Sequence, residues 1–180
     1  NPEVTALSRG GSLVGWVADA TDPAAMASAI AECVRRFGGL DHVVSNAGVF
    51  AAGARIEQLD DARWAESLQL NLTSHMTLLR SAVPFLRHGF DPSVVIVGSK
   101  NVPAPGPGAA AYSVAKAGLA QLARVAALEL GTDGIRIGAA PAPLFRPGRE
   151  QQPRLAQRVV HVPGVRLERV VMQDMFLRID

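Results

Sequence analysis

Apolar residues recur along this chain at two spacings that take turns, and the alternation predicts an architecture. Ser12 to Ala18 is a short, mostly apolar run ending at Asp19 and predicts a strand. Thr21-Asp22-Pro23 then places a cap residue before a proline at the first helical position. Met26, Ile30, Cys33, Val34 and Phe37 follow at helical spacing until Gly38-Gly39. Leu40 to Ser45 predicts a second strand, which runs into Asn46-Ala47-Gly48. Asp60 is placed to cap a long helix reaching about His88, with Trp64, Leu68, Leu72, Leu79 and Phe85 on its apolar side. Pro84 is expected to bend or break its last turn. Ser93 to Val97 predicts a third strand, Tyr112 to Leu130 a helix stopped by Gly131, and Ile135 to Ala139 a fourth strand. Strands alternating with helices imply an α/β fold with a parallel sheet and right-handed crossovers. Such sheets hold ligands at the carboxyl ends of their strands. Asp19, Asn46-Ala47-Gly48 and Ser99 each fall just past a predicted strand and so line one rim.

Composition narrows the function classes. The chain has 180 residues, 48% hydrophobic and 19% charged, enough for one globular domain with a real core. The formal net charge is +2, and the arginines are spread along the chain until its last quarter, which argues against a dedicated nucleic-acid surface. Cys33 is the single cysteine, so no intrachain disulfide forms, and a reducing, cytoplasmic setting is expected. No apolar run reaches the ~18 residues of a membrane span, and Asn1 to Gly10 lacks a signal-peptide pattern. His42, His75, His88 and His161 show no ligand spacing, so no metal site is expected. Trp16 and Trp64 are expected in the core.

The stretch from Ser99 to Lys116 carries the candidate chemistry. Tyr112 is the only tyrosine and stands four residues before Lys116, one of two lysines. On a helix, residues i and i+4 share a face. A phenol and an ammonium would therefore lie side by side, and a cation next to a phenol stabilises the phenolate. A phenol so placed can trade a proton with a carbonyl or an alcohol. Gly106-Pro107-Gly108-Ala109-Ala110-Ala111 satisfies a glycine-rich dinucleotide pattern, but it lies away from its strand, and no acidic residue ends the next strand. It reads as a rigid, proline-braced substrate loop.

Four features in order then resemble the short-chain dehydrogenase/reductase family, over roughly Ser12 to Ala139. Asn46-Ala47-Gly48 is similar to the family's Asn-Asn-Ala-Gly, with Ser45 in place of the first Asn. Asn71 lies inside Leu70-Asn71-Leu72-Thr73 in the long helix, Ser99 stands thirteen residues before Tyr112, and Tyr112 and Lys116 match Tyr-x-x-x-Lys. The resemblance implies a Rossmann-like doubly wound parallel sheet and hydride transfer between NAD or NADP and a small alcohol or carbonyl substrate. It makes Tyr112 the proton donor or acceptor, with Lys116 tuning it and holding the nicotinamide ribose. Ser99 would bind the substrate oxygen, and Asn71 would hold a relay water. Asp19 would touch the adenine, and Asn46, Ala47 and Gly48 would pass beside the cofactor. It also implies a homodimer or homotetramer, with no nucleic-acid or membrane partner. Read from the residues alone, Asn71 could instead bond backbone where the helix deforms, Asp19 could cap a helix, and Ser99 could be a turn residue. The wording from Gly98 to Gly108 is similar to the dehydrogenase half of bifunctional class II aldolase/short-chain dehydrogenase proteins, which implies a small hydroxyaldehyde such as lactaldehyde.

The chain also departs from that family. The family opens with a strand, a Thr-Gly-x-x-x-Gly-x-Gly turn, a helix and a second strand, and the resemblance here begins only near the third strand. Residues 1–143 are therefore expected to form a Rossmann-like domain incomplete at its N-terminus, and residues 144–180 an Arg-rich tail. The family's first strand is central, and a sheet cannot leave an inner slot empty, because buried backbone groups without partners are costly. Either residues before Asn1 fill the slot, or a tail segment does, with Val159 to Val162 the best internal candidate. A second function class follows from the same departure: a truncated, catalytically inactive relative acting as a binding or assembly module.

Overall fold

A computed structural model describes residues 14–140 and 170–173. Its elements are helix α1 (Pro23–Phe37), strand β1 (His42–Ser45), helix α2 (Asp61–Leu68), a π-helical turn (Gln69–Thr73), helix α3 (Ser74–Leu86), strand β2 (Ser93–Val97), helix α4 (Ala110–Leu130), strand β3 (Arg136–Ala140) and strand β4 (Val170–Gln173). The four strands form one parallel sheet in the order β3-β2-β1-β4. His42 is paired with Ser93 on one side and with Val170 on the other.

Local chemistry explains where the elements begin and end. Asp22 caps α1 by accepting a hydrogen bond from the Ala24 amide at 2.8 Å, and Pro23 opens the helix without wasting a donor. Gly38 closes it at φ +76, a left-handed conformation that suits glycine, and donates its N–H to Val34. Asp60 caps α2 through the Arg63 amide. Ile30, Leu40, Val43, Leu78, Leu86, Val94, Ile96, Leu119 and Ile135 are fully buried and form one core across the sheet and its helices. α1 packs on α3, and α4 packs on β3, on α2 and on the π turn, which sets the first turn of α4 beside the carboxyl ends of β1 and β2.

The structure corrects several expectations. Residues 14–18 form no strand: Trp16 is half exposed and Val17 fully so, and a strand needs a ladder partner that no described segment supplies there. Trp16 is thus not a core residue. The predicted long helix is three consecutive pieces, because the hydrogen-bond ladder widens to a π turn at Gln69–Thr73. Pro84 does not break α3, which continues to Leu86. α4 begins at Ala110, so Tyr112 sits in its first turn.

β4 is the largest addition. A segment of the tail does lie against the outer edge of β1, as the empty-slot argument allowed, but it is Val170–Gln173. The candidate Val159 to Val162 falls outside the described residues, as does the boundary drawn at 143/144.

Removing β4 tests its weight. A chain ending at Arg169 exposes the outer backbone edge of β1, and loses several ladder hydrogen bonds at ~0.5–1.5 kcal/mol each. Its urea midpoint is expected to fall by an amount corresponding to ~2 kcal/mol or more on that basis. An unchanged midpoint would show that β4 contributes nothing to the sheet.

Candidate active site

Lys116 anchors the site. It lies on α4, one turn after Tyr112, and is only 3% exposed. Its Nζ donates to the Val97 carbonyl at 3.2 Å, at the end of β2, and stands 6.0 Å from the centre of the Tyr112 ring. Burial pushes its pKa down from the usual lysine value to about 8. An ammonium has three donors, and the described contacts give this one a single hydrogen bond, to Val97.

Asn71 approaches from the π turn and is fully buried. Its Oδ1 accepts the Val49 amide at 3.0 Å, and its Nδ2 donates to the Val49 and Ser67 carbonyls, both at 3.0 Å. Ser74 Oγ donates to the Leu70 carbonyl at 2.6 Å in the same stretch. Side chains thus take up carbonyls where the ladder is irregular, and π turns of this kind recur at functional sites. The amide grips backbone, as one sequence-based alternative had it, and its Oδ1 also faces the lysine. A Cβ on Gly48 would lie 3.0 Å from Asn71 Oδ1 and 3.3 Å from Lys116 Nζ, so both atoms look onto the same point above Gly48. Glycine leaves that point open.

The structure therefore brings Gly48, Asn71, Tyr112 and Lys116 together. Asn46 and Gly48 are exposed on that rim while Ala47 between them is buried. Ser99 lies two residues past Val97, and its Oγ accepts the Asn101 amide at 3.1 Å. Asn101 Nδ2 in turn donates to Ser113 Oγ at 3.3 Å, tying this turn to the residue after Tyr112. Asp19 belongs to a separate, exposed turn, where its carboxylate accepts the Thr21 amide and hydroxyl at 2.8 Å. Those bonds, the amide first, hold its pKa below the usual carboxylate range. The helix cap nearby is Asp22, not Asp19. The 106–111 stretch is braced by the chain: Gly108, at φ +76, accepts the Ala54 amide through its carbonyl at 3.1 Å.

Sequence reasoning missed three participants. Phe50 meets the Tyr112 ring edge to face with centroids 5.1 Å apart, and both line a small cavity with Ala54, Leu59, Ser67 and Ala109. The Val97 carbonyl is a backbone group that no residue type announces. His75 is fully buried, with Nδ1 2.6 Å from Ser45 Oγ. Burial and then the Lys116 charge lower its pKa to about 4, with the Ala47 backbone pulling weakly the other way. Its spacing of four from Asn71 was the available signal.

A nicotinamide cofactor fits part of this arrangement. The open point above Gly48 and the two uncommitted donor positions of Lys116 suit the hydroxyls of a ribose, whose oxygens accept such bonds.

Comparison with known proteins places the site in context. The family model described as short chain dehydrogenase matches residues 3–153. An uncharacterised NAD-dependent oxidoreductase of Mycobacterium tuberculosis is 38% identical over 120 residues, which are 66% of this chain and 43% of that protein. The trans-4-hydroxycyclohexanecarboxylate dehydrogenase of Sinomonas cyclohexanicum is 31% identical over 144 residues, covering 77% of this chain and 51% of that one. The crystal structure of sorbitol-6-phosphate 2-dehydrogenase from Erwinia amylovora superposes with a TM-score of 0.73 at 28% identity, covering 77% of this chain and 56% of that one. The chain spans about half the length of the curated relatives it matches.

Buried charge at Lys116 predicts a stability–pH signature. A lysine whose folded pKa is depressed binds fewer protons in the native state between about 8 and the usual 10.5. Stability therefore rises with pH across that window. Lys116→Met removes a charge that is costly to bury, and at pH 7 it is expected to be more stable than the parent by ~1 kcal/mol or more. The gap should narrow toward pH 10 in urea unfolding. A Met variant less stable than the parent at pH 7 would show that the ammonium is net stabilising.

Proposed function

The chain belongs to the short-chain dehydrogenase family, and on that premise we propose that it serves an oxidoreductase moving a hydride between NAD or NADP and a small alcohol or carbonyl substrate. The observation that carries this reading is the buried Lys116 ammonium, held at the end of β2 and beside the ring of Tyr112. A charge is costly to bury, and a site that keeps one there, facing a rim where α/β sheets bind ligands, has a use for it.

In this reading Tyr112 exchanges a proton with the substrate oxygen, and Lys116 supplies positive charge beside it while its remaining donors hold the ribose. Ser99 Oγ hydrogen-bonds the substrate oxygen. Asn71 fixes Val49, and through it the segment Asn46-Ala47-Gly48 that faces the cofactor, and its Oδ1 borders the space where a relay water would sit. Asp19 reaches toward the adenine end. The nicotinamide supplies the hydride chemistry when bound. Phe50 and the braced 98–108 loop shape the substrate side, and the wording of that loop supports a small hydroxyaldehyde such as lactaldehyde as the substrate class. Val114, Val125 and Leu128 are exposed apolar residues on α4, and they support pairing of that helix with a second copy of the chain.

Tyr112→Phe is expected to abolish NAD(P)-linked turnover while cofactor affinity, read by fluorescence titration, stays within about twofold, because only the proton-transfer group is lost. Lys116→Ala should damage both. Turnover at the parental rate in Tyr112→Phe would remove the catalytic assignment. Light scattering at micromolar concentration is expected to show a dimer or tetramer; a monomer alone would count against the pairing of α4.

A further inference from the structure

Asn71 and His75 stand four residues apart, one across the π turn and the other at the start of α3, and they reach the two ends of a single short segment. Asn71 holds Val49 through both its N–H and its C=O. His75 Nδ1 lies 2.6 Å from Ser45 Oγ. Between Ser45 and Val49 lie Asn46, Ala47 and Gly48, of which Gly48 faces Lys116. We infer that His75 is a positioning residue that clips Ser45 in partnership with Asn71, so that consecutive turns of one helical run fix the 46–48 segment against Lys116.

Two observations support the clip. Ser45 and His75 are both fully buried, so their bond is shielded from water and strongly selected by geometry. His75 Nε2 is buried without a hydrogen-bond partner, a cost that a purely apolar residue at this position would avoid. A charged group facing His75 is Lys116, whose positive charge disfavours an imidazolium and keeps the ring in its neutral, accepting or donating form. The inference deepens the cofactor reading, since the clipped segment is the one assigned to the nicotinamide side.

Amide hydrogen exchange, read residue by residue by NMR on the whole chain, tests it. In Ser45→Ala and in His75→Leu, exchange at Ala47 and Val49 should rise about tenfold, the equivalent of one lost hydrogen bond, while Leu78 and Leu119 stay within about twofold. The double variant should exchange no faster than His75→Leu alone, because that variant has already lost the Ser45 bond. His75→Gln, which keeps a hydrogen-bonding group, should recover about threefold or more of that loss. Ser45→Ala deletes one oxygen and keeps the test valid where His75→Leu fails to fold. Equal acceleration at all amides, or additive effects in the double variant, overturns the clip and leaves His75 as filling of the core. NADH and NADPH titrations separate this outcome from the function. If exchange behaves as stated and the parent binds neither cofactor, the clip stands and the cofactor reading falls. If the parent binds and His75→Leu binds equally well, the clip does not position the segment for the cofactor and the inference fails.

Discussion

A nearly fully buried ammonium is the constraint around which the rest of this structure is arranged. Lys116 is kept out of water by α4, β2 and the Asn46-Ala47-Gly48 segment. Each must be placed accurately for a charge to be tolerated at all, because solvation lost on burial has to be replaced by fixed dipoles. The Val97 carbonyl is one such dipole, and it is available because Val97 is the last residue of β2. The open face of Gly48 is the complementary requirement: any side chain there would press on both the lysine and Asn71. The π turn follows from the same demand, since Asn71 must face Val49 rather than continue a regular helix surface.

Much of this was legible in the sequence, for identifiable reasons. The helices announced themselves through caps and glycine stops whose chemistry is local: Asp22-Pro23, Asp60 and Gly38 each behave as their side chains dictate. Ser93–Val97 was readable because an apolar run of strand length bounded by polar residues has few other uses. Tyr112 and Lys116 were readable because helical spacing alone puts them on one face. What the sequence hid was non-local. The π turn is invisible in periodicity, since Leu68, Leu72 and Leu79 fit a regular helix equally well. Residues 14–18 have the composition of a strand, yet a strand exists only with a neighbour. Ser45 and His75 are thirty positions apart, and no local pattern says that one will find the other.

The site residues divide by how they are held. Asn71 and Lys116 are buried and bonded to backbone, at Val49 and at Val97. Ser99 and Asn101 sit on a turn tied to α4 by a side-chain bond, and Phe50 is half exposed and meets Tyr112 through its ring. In the proposed oxidoreductase reading, the fixed groups are the ones that serve the proton and the cofactor, where geometry must not vary. In the same proposed reading, Ser99 and Phe50 lie on the substrate side, where proteins with different substrates must differ.

The pairing of β4 with β1 joins residues farther apart in sequence than any other ladder in the sheet. During synthesis β1, β2 and β3 emerge in order and can pair as they appear, each closing a loop of moderate length. β4 comes last and must close the longest loop, so its docking is the slowest ladder to form. Among the described residues, β4 is what covers this edge of His42-Val43-Val44-Ser45, and an uncovered strand edge can pair with other extended chains. Of the three ladders among the described residues, the one that covers this edge has the longest loop to close, so β1 depends for its cover on the contact that chain entropy opposes most.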